Sequence, residues 1–314
     1  MTNIKNEKVA VIGSGLIGRA WAIVFARAGV TVNIYDQSTD ALKACIGLIR
    51  ELLEDKEKVG LLSEPVSNIL ARIHPVNSLE QACVGVTLVQ ENIRETVEAK
   101  LEIFAELDRL TPSSAILASS TSWLPTSLFT EKLKGRSRCL VAHPTNPPYL
   151  IPLVEISPAP WTDPQVVERA MTFYANVHQE PVLVKKEIHG FLLNRVQGAV
   201  LNEMLNLYEE GYASSTDLDK VMKYGLGLRW SFMGPFETID LNAPQGVTDY
   251  AQRYGQTYAD VSKTQKNNTW NPKVIRAIEE ERRTILQEKE INERSRWRDN
   301  RLMTLRKHQM DQPK

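Results

Sequence analysis

The start of the chain alternates apolar runs with glycine-rich and polar positions, a pattern that predicts a strand, a turn, a helix and a second strand. Val9–Ile12 is rich in β-branched residues, which favours a buried parallel strand. The turn Gly13-x-Gly15-x-x-Gly18 follows, and apolar positions at helical spacing then lead to a second strand-like run, Thr31–Tyr35. We therefore predict that the fold opens with two parallel strands joined by a helix.

The same alternation continues through the first half of the chain. Short apolar runs predict further strands at Thr87–Gln90, Ala115–Ala118, Arg138–Ala142, Leu153–Ile156 and Pro181–Val184. Helical periodicity separates several of these runs, at Thr39–Lys58, Glu64–Ala71 and Glu95–Leu107. Because strands alternate with helices, we predict an α/β fold with a Rossmann-type, doubly wound and mostly parallel sheet.

The remaining sequence is helical in character. Gly190–Glu210 has apolar positions at helical spacing, and Gly234-Pro235 predicts the start of another helix that runs to about Tyr254. We expect an NAD-binding Rossmann-like domain over residues 1–187 and an all-α domain over residues 188–314. A chain of 314 residues is long enough for two such domains.

The three glycines of the first turn fit a dinucleotide-binding site. Gly13 permits a tight turn, Gly15 lets the backbone approach a pyrophosphate, and Gly18 lets helix and strand pack closely. The pyrophosphate is then expected on the free N–H groups of the helix that begins near Leu16.

Asp36 follows the second strand, where an acidic side chain accepts hydrogen bonds from a ribose diol. Its charge repels a 2′-phosphate, and Gln37, Ser38 and Thr39 supply no arginine to bind one. We therefore predict NAD rather than NADP, with FAD as the alternative that shares the same fingerprint.

Charge and cysteine content narrow the function classes. Lys+Arg and Asp+Glu both number 38, which makes no electrostatic case for nucleic acid or an anionic membrane. The alternating charges of Arg276–Lys307 are typical of a solvated helical face, with a nucleic-acid patch as the alternative. Cys45, Cys83 and Cys139 form no Cys-x-x-Cys pair, so we expect structural thiols in a reducing compartment.

The sequence contains neither a signal-peptide pattern before the first strand nor an apolar run as long as a membrane span. No His, Cys and Asp cluster has the spacing of metal ligands. We expect a cytoplasmic protein without a metal site.

His143 is the candidate catalytic base. It follows the strand Arg138–Ala142, at the carboxyl edge where ligands of open α/β sheets bind, and it opens a proline-rich segment. Glu155 interrupts an apolar strand and needs a partner, and a carboxylate within reach of an imidazole would orient it. The alternative is that His143 is a capped loop residue and Glu155 a surface acid on an edge strand.

Two further polar positions have both a functional and a structural interpretation. The hydroxyls of Ser119–Ser122 come directly after a predicted strand and would face the same cleft, or they form a serine-rich turn with a helix N-cap. Asn194 lies on an apolar-looking helix and could equally be a polar interruption that faces solvent.

Taken as a set, these motifs resemble the 3-hydroxyacyl-CoA dehydrogenase superfamily. The matching stretches are Val-Ile-Gly-Ser-Gly-Leu-Ile-Gly-Arg (11–19), Ser-Ser-Thr-Ser (119–122), His143-Pro-x-Asn146-Pro, Pro152-Leu-Val-Glu155 and Gly190-Phe-Leu-Leu-Asn194-Arg. Within the superfamily, residues 143–155, 225–235 and 297–299 are most similar to the branch that contains L-gulonate 3-dehydrogenase.

The resemblance implies roles for individual residues. It implies a His143–Glu155 dyad, with Ser122 and Asn194 on the reacting substrate oxygen and Asn146 lining the substrate and nicotinamide region. Cofactor contacts are implied for Ile17, Asp36, Glu95 and Lys100. It also implies a homodimer formed through the helical domain, and the charge of Arg229 in a branch-specific loop suits a substrate carboxylate.

The reaction expected is the interconversion of a 3-hydroxy acid and its 3-keto acid with NAD. Acyl-CoA relatives use a basic segment after the ribose-binding acid to hold CoA, whereas residues 50–58 here are mixed and acidic at their centre. This favours a free acid such as L-gulonate over 3-hydroxybutyryl-CoA. The other alternative substrates are a diketo acid and carnitine, for which Trp123 and Trp230 offer aromatic contacts. Binding of NAD without turnover is the non-enzymatic alternative.

Overall fold

The computed structural model describes residues 4–312, which divide into two compact units. One unit runs up to Leu193 and also includes the C-terminal segment from Asp299. The other is Asn194–Arg298. The first unit has the α/β organisation that the sequence predicts, and the second is helical.

The first unit is built on one sheet. The described residues form the strands β1 Lys8–Ile12, β2 Thr31–Tyr35, β3 Ile73–Pro75, β4 Leu88–Glu91, β5 Ile116–Ser119, β6 Cys139–Pro144, β7 Leu153–Pro158 and β8 Glu180–Leu183. Their spatial order is β3-β2-β1-β4-β5-β6-β7-β8. Of these neighbours only β6 and β7 pair antiparallel among the described strands, which confirms the predicted mostly parallel, doubly wound sheet.

Helices cover the sheet. In the first unit they are α1 Leu16–Arg27, α2 Thr39–Lys58, α3 Val66–Leu70, α4 Leu79–Cys83, α5 Val97–Leu110, α6 Ser127–Thr130 and α7 Pro164–Asn176. The later helices are α8 Leu193–Glu209, α9 Ser215–Lys220, α10 Gly227–Trp230, α11 Pro235–Leu241, α12 Gly246–Ser262, α13 Pro272–Ile285 and α14 Ile291–Asp311.

The apolar side chains of the strands point alternately to two separate cores. Val9 and Val11 of β1 pack in one buried cluster, and Ala10 and Ile12 pack in the other. Successive strand residues face opposite sides of a sheet, so a strand that is covered on both faces is apolar throughout. This explains why the first strand could be identified from its continuous apolar run.

The helical part departs from the sequence prediction in two places. The helix expected from Pro235 to about Tyr254 is two helices, α11 and α12, which are separated between Leu241 and Gly246. The segment from Asp299, expected in the helical domain, belongs to the first unit because Met303 is 4% exposed within that unit's core. The dense charges around Met303 mask this apolar contact in the sequence.

None of the described helices is both long and apolar enough to cross a membrane. Residues 4–312 also bring together no group of three or more His, Cys, Asp or Glu side chains that could hold a metal ion. The three cysteines are free and buried. Burial raises the pKa of the Cys45 and Cys83 thiols to about 11 and that of Cys139 to about 12.

Candidate active site

The glycine turn between β1 and α1 has the geometry that a pyrophosphate site needs. Gly13 has a φ of +94°, and a Cβ there would lie 2.8 Å from the Asn92 carbonyl oxygen. A Cβ on Gly18 would lie 1.8 Å from the Gly13 carbonyl oxygen, so close packing excludes any side chain. A Cβ on Gly15, in contrast, meets no atom of the described residues within 4 Å. Two glycines are therefore required by packing, and the third leaves open space at the start of α1.

Gly15 is also the N-cap of α1. It has no side chain with which to cap the first N–H groups of the helix, and Leu16 and Ile17 place no negative charge in the first turn. The free N–H groups and the positive end of the helix dipole favour an anion here. The open space at Gly15 and this helix terminus together fit a dinucleotide pyrophosphate.

Asp36 is held at the end of β2 by the same turn. Its Oδ2 accepts hydrogen bonds from the Ser14 backbone N–H at 2.7 Å and the Ser14 hydroxyl at 2.9 Å. Its Oδ1 accepts the Ser38 backbone N–H at 2.8 Å. The carboxylate is thus fixed beside the glycine turn, in the place where the fingerprint predicts the ribose-binding acid.

Lys100, for which the resemblance implies a cofactor contact, is buried and paired with an acid in this structure. The side chain is 1% exposed, and Nζ donates to both oxygens of the buried Glu91 carboxylate at 2.7 and 2.8 Å. Glu91 also accepts the Ser119 hydroxyl at 2.6 Å. In this structure Lys100 therefore neutralises a buried acid that joins β4 to β5.

Glu95 is exposed and binds the loop that follows β5. Its Oε1 accepts the Thr121 hydroxyl at 2.7 Å and the backbone N–H groups of Ser122 and Trp123 at 2.6 and 2.9 Å. Ser122 is half-buried. Glu95 thus holds the backbone of the candidate catalytic serine.

His143 and Glu155 are directly opposite each other on the antiparallel strands β6 and β7. His143 Nδ1 and Glu155 Oε2 are 2.9 Å apart, and the two residues are 6% and 1% exposed. The side chains of His143 and Glu155 are therefore in contact, and Glu155 is not a surface acid. The Phe191 ring packs on the imidazole with a centroid distance of 5.5 Å.

The second carboxylate oxygen of Glu155 also accepts hydrogen bonds. Oε1 accepts the backbone N–H groups of Leu192 and Leu193 at 2.7 and 2.9 Å. Burial by itself raises the pKa of Glu155, but the hydrogen bonds from His143, Leu193 and Leu192 outweigh it, and the pKa lies below its usual value. Glu155 is therefore ionised at neutral pH.

The strand register brings these groups to one edge of the sheet. Ile12 pairs with Glu91, Glu91 with Ser119, and Ser119 with Val141. The glycine turn, the Ser122 loop and His143 follow these paired positions within a few residues. They lie at the carboxyl ends of parallel strands, where open α/β sheets bind ligands.

Three expected site residues lie further along the chain or in the second unit. Asn146 is exposed, in the segment after β6. Asn194 directly follows Leu193 in the chain and is the first residue of the second unit. Arg229 is an exposed residue of α10 in that unit.

Sequence reasoning missed Phe191 and the two N–H groups that bind Glu155, because backbone donors leave no signal in residue type. It also missed Gln90, a fully buried amide in β4. An uncharged polar residue inside a predicted buried strand was the available signal.

Comparison with known proteins shows the family of this chain. The sequence model of the 3-hydroxyacyl-CoA dehydrogenase NAD binding domain matches residues 8–188, and that of the C-terminal domain matches residues 190–282. A lambda-crystallin homolog of Mus musculus is 41% identical over 322 residues, covering 98% of each chain. An L-carnitine dehydrogenase of Oceanobacillus iheyensis is 36% identical over 250 residues, which are 79% of this chain and 80% of that enzyme.

A solved structure agrees over nearly the whole chain. This is the crystal structure of 5-formyl-3-hydroxy-2-methylpyridine 4-carboxylic acid (FHMPC) 5-dehydrogenase, an NAD+ dependent dismutase. Its TM-score is 0.82 at 25% sequence identity, and the match covers 98% of this chain and 99% of that chain. The likeness to the lambda-crystallin homolog and the matches to both family models confirm the superfamily expected from the sequence motifs. The chain belongs to the 3-hydroxyacyl-CoA dehydrogenase family and is an NAD-dependent hydroxy-acid dehydrogenase.

Proposed function

We propose that this protein interconverts a 3-hydroxy acid and its 3-keto acid, with His143 as the general base and L-gulonate as the best candidate substrate. The observation that carries the proposal is the buried His143–Glu155 pair at the carboxyl edge of the sheet. The chemistry that bound NAD would supply is that of a hydride acceptor for the hydroxyl-bearing carbon.

The dyad geometry determines which nitrogen can act as base. An ionised carboxylate only accepts hydrogen bonds, so the contact with Glu155 places a proton on His143 Nδ1. In a neutral imidazole the lone pair is then on Nε2, which takes the substrate hydroxyl proton as the hydride leaves. Glu155 stabilises the imidazolium that forms, and the N–H groups of Leu192 and Leu193 keep that carboxylate in place.

The segment 50–58 supports a free acid over a CoA ester. Lys56 is 1% exposed, with Nζ 3.5 Å from the centroid of the Tyr149 ring. Lys58 pairs with Asp55 at 2.8 Å. Two of the three basic side chains in this segment are thus engaged within the protein, which leaves Arg50 as a weak site for CoA phosphates.

Carnitine is the second candidate. Trp123 follows Ser122 directly and is 46% exposed, so an aromatic face is available near the proposed substrate oxygen. A quaternary ammonium group binds such faces through cation–π attraction. The similar L-carnitine dehydrogenase is consistent with this substrate class.

The test measures NADH formation from its absorbance, with L-gulonate, 3-hydroxybutyryl-CoA and L-carnitine as parallel substrates. Wild type is compared with His143→Ala and with His74→Ala, an exposed histidine of β3 that serves as the matched control. A preference for gulonate that His143→Ala alone abolishes supports the proposal. A preference for the CoA ester or for carnitine would make that compound the substrate in place of L-gulonate. The absence of turnover with all three compounds contradicts the proposed function.

We propose that Ser122 and Asn194 contact the reacting oxygen of the substrate. Asn146 is proposed to line the substrate and nicotinamide region, and Arg229 to bind the substrate carboxylate. Arg229 is tested by Arg229→Met, which is expected to raise KM for acidic substrates most. An equal loss with uncharged alcohols contradicts that role.

We also propose a homodimer formed through the second unit, in a cytoplasmic protein. Phe232, Phe236 and Leu241 are 72%, 81% and 66% exposed, which supports a covered surface. Light scattering after size exclusion tests the dimer, and Phe236→Glu is expected to yield monomers. The buried free thiols support a reducing compartment.

A further inference from the structure

A buried hydrogen-bond network lies directly beneath the proposed site. The Ser120 hydroxyl oxygen is 2.7 Å from Gln90 Nε2, 3.0 Å from Trp21 Nε1 and 2.7 Å from Asn92 Oδ1. Gln90 and Trp21 are fully buried. Ser120 therefore joins three elements, since these partners lie on β4, on α1 and in the loop after β4.

The direction of each bond follows from the chemistry of the groups. Trp21 Nε1 can only donate, so the Ser120 oxygen accepts from it and from the Gln90 amide. The one hydroxyl proton of Ser120 then goes to Asn92 Oδ1. Asn92 Nδ2 donates in turn to the backbone carbonyls of Gln90 and Ile12 at 2.8 and 3.3 Å. The donor and acceptor capacity of the Ser120 hydroxyl is fully used.

Each polar atom of the Gln90 amide also has a partner. Its second amide hydrogen points to the Ala142 carbonyl oxygen, 3.3 Å from Nε2, and its Oε1 accepts the hydroxyl of the fully buried Tyr174. Turning the amide over would place Oε1 against the Ala142 carbonyl, which has no proton to donate. The amide has one satisfied orientation.

The position of these bonds matters because the backbone ladder stops here. The last paired residues of β5 and β6 are Ser119 and Val141. The next residue on each strand, Ser120 and Ala142, is bonded to the Gln90 side chain. The Gln90 side chain thus connects β5 and β6 one residue beyond their last backbone pair, where the two strands diverge toward the site.

We propose that Gln90 is a positioning residue that sets the spacing between the Ser122 loop and the His143–Glu155 dyad. Ser120 is two residues before Ser122, and Ala142 directly precedes His143. The role rests on the proposed function. A displacement of even about 1 Å between catalytic groups is costly, so a buried amide with a partner on each polar atom is suited to hold them.

The first test compares Gln90→Met and Tyr174→Phe with wild type. Thr162→Val is the matched control, because its buried hydroxyl bonds the Cys139 carbonyl at 2.7 Å at the opposite end of β6. We expect kcat to fall about 10- to 100-fold in Gln90→Met, with a smaller loss in Tyr174→Phe, while the Kd for NADH stays within about two-fold. A kcat per folded molecule that equals wild type in both variants overturns the proposal.

Hydrogen exchange of the free protein supplies a readout that does not need turnover. Gln90→Met and Tyr174→Phe are expected to speed exchange both in residues 120–123 and in residues 143–146, and Thr162→Val in neither. The positioning role is overturned if one of these two segments exchanges at the wild-type rate in both Gln90→Met and Tyr174→Phe. If wild type turns over none of the 3-hydroxy acids, the proposed function fails, and the exchange result still decides whether Gln90 couples the two segments.

Discussion

His143 and Glu155 face each other across β6 and β7, with Nδ1 and Oε2 2.9 Å apart, and the carboxylate also accepts two backbone N–H groups. One buried acid therefore orients the imidazole and fixes the backbone at Leu192 and Leu193. We therefore expect Glu155 to contribute to stability as well as to the proposed role of His143 as a base.

The lowered pKa of Glu155 predicts a pH-dependent stability contribution. A carboxylate whose folded pKa is below its unfolded value of about 4.3 stabilises the fold above that value, and the contribution is lost as pH falls through the folded pKa. Glu155→Gln should reduce the free energy of unfolding by about 2 kcal/mol near neutral pH, and the difference should shrink below about pH 4. Urea unfolding across this range measures it. Glu98→Gln, at an exposed acid of α5, is the control, and a constant difference at all pH values contradicts the prediction.

Substitution by alanine is predicted to weaken NADH binding at Gly15 and to lower stability at Gly18. Gly15→Ala enters open space, so stability is retained while the Kd for NADH rises about ten-fold, because the methyl group occupies the pyrophosphate approach. Gly18→Ala places a Cβ against the Gly13 carbonyl and should lower the free energy of unfolding by about 1–3 kcal/mol. Thermal unfolding and NADH fluorescence titration separate the two effects. Equal stability losses in both variants would argue against the open space at Gly15.

Lys100→Met distinguishes a buried ion pair from a cofactor contact. Without Lys100, the Glu91 carboxylate loses its buried counter-charge, which costs about 3–5 kcal/mol. Adding Glu91→Gln should recover part of that loss, because the uncharged amide needs no counter-ion. Urea unfolding gives the energies, and NADH titration of the folded fraction should match wild type. A stable Lys100→Met variant with weakened NADH binding would support the direct contact instead.

Lys56 is predicted to cost stability at low pH. Burial, and then the nearby Arg27, lower its pKa to about 7, against the opposing charges of Asp55 and Asp299. Because the unfolded lysine has a pKa of about 10.4, the cost of burying the charged form is complete below about pH 7 and disappears as pH rises toward 10.

Lys56→Met should therefore raise the free energy of unfolding by about 1–2 kcal/mol near pH 6 and by less near pH 9, measured by urea unfolding. The change is limited because the Tyr149 ring already stabilises the ammonium group. Lys43→Met, at an exposed position of the same helix, is the control. Destabilisation by Lys56→Met at both pH values would mean that the Tyr149 contact outweighs burial.

Features that depend on residues close together in the chain could be predicted from the amino-acid sequence. The continuous apolar run at Val9–Ile12, the glycine spacing and Asp36 identify the dinucleotide-binding unit, because a covered strand and a pyrophosphate turn each impose a local pattern. The position of His143 after an apolar strand and the charge of Glu155 inside one were also local signals. Motif resemblance added the family.

The contacts between residues far apart in the chain became known from the folded structure. It paired His143 with Glu155 through strand register, buried Lys100 against Glu91, and joined Gln90 to Ser120, Ala142 and Tyr174. It also assigned the segment around Met303 to the first unit. These outcomes depend on which elements lie side by side and on where buried polar groups find partners. Such contacts are set by the packing of the whole unit, so no local pattern of residues specifies them.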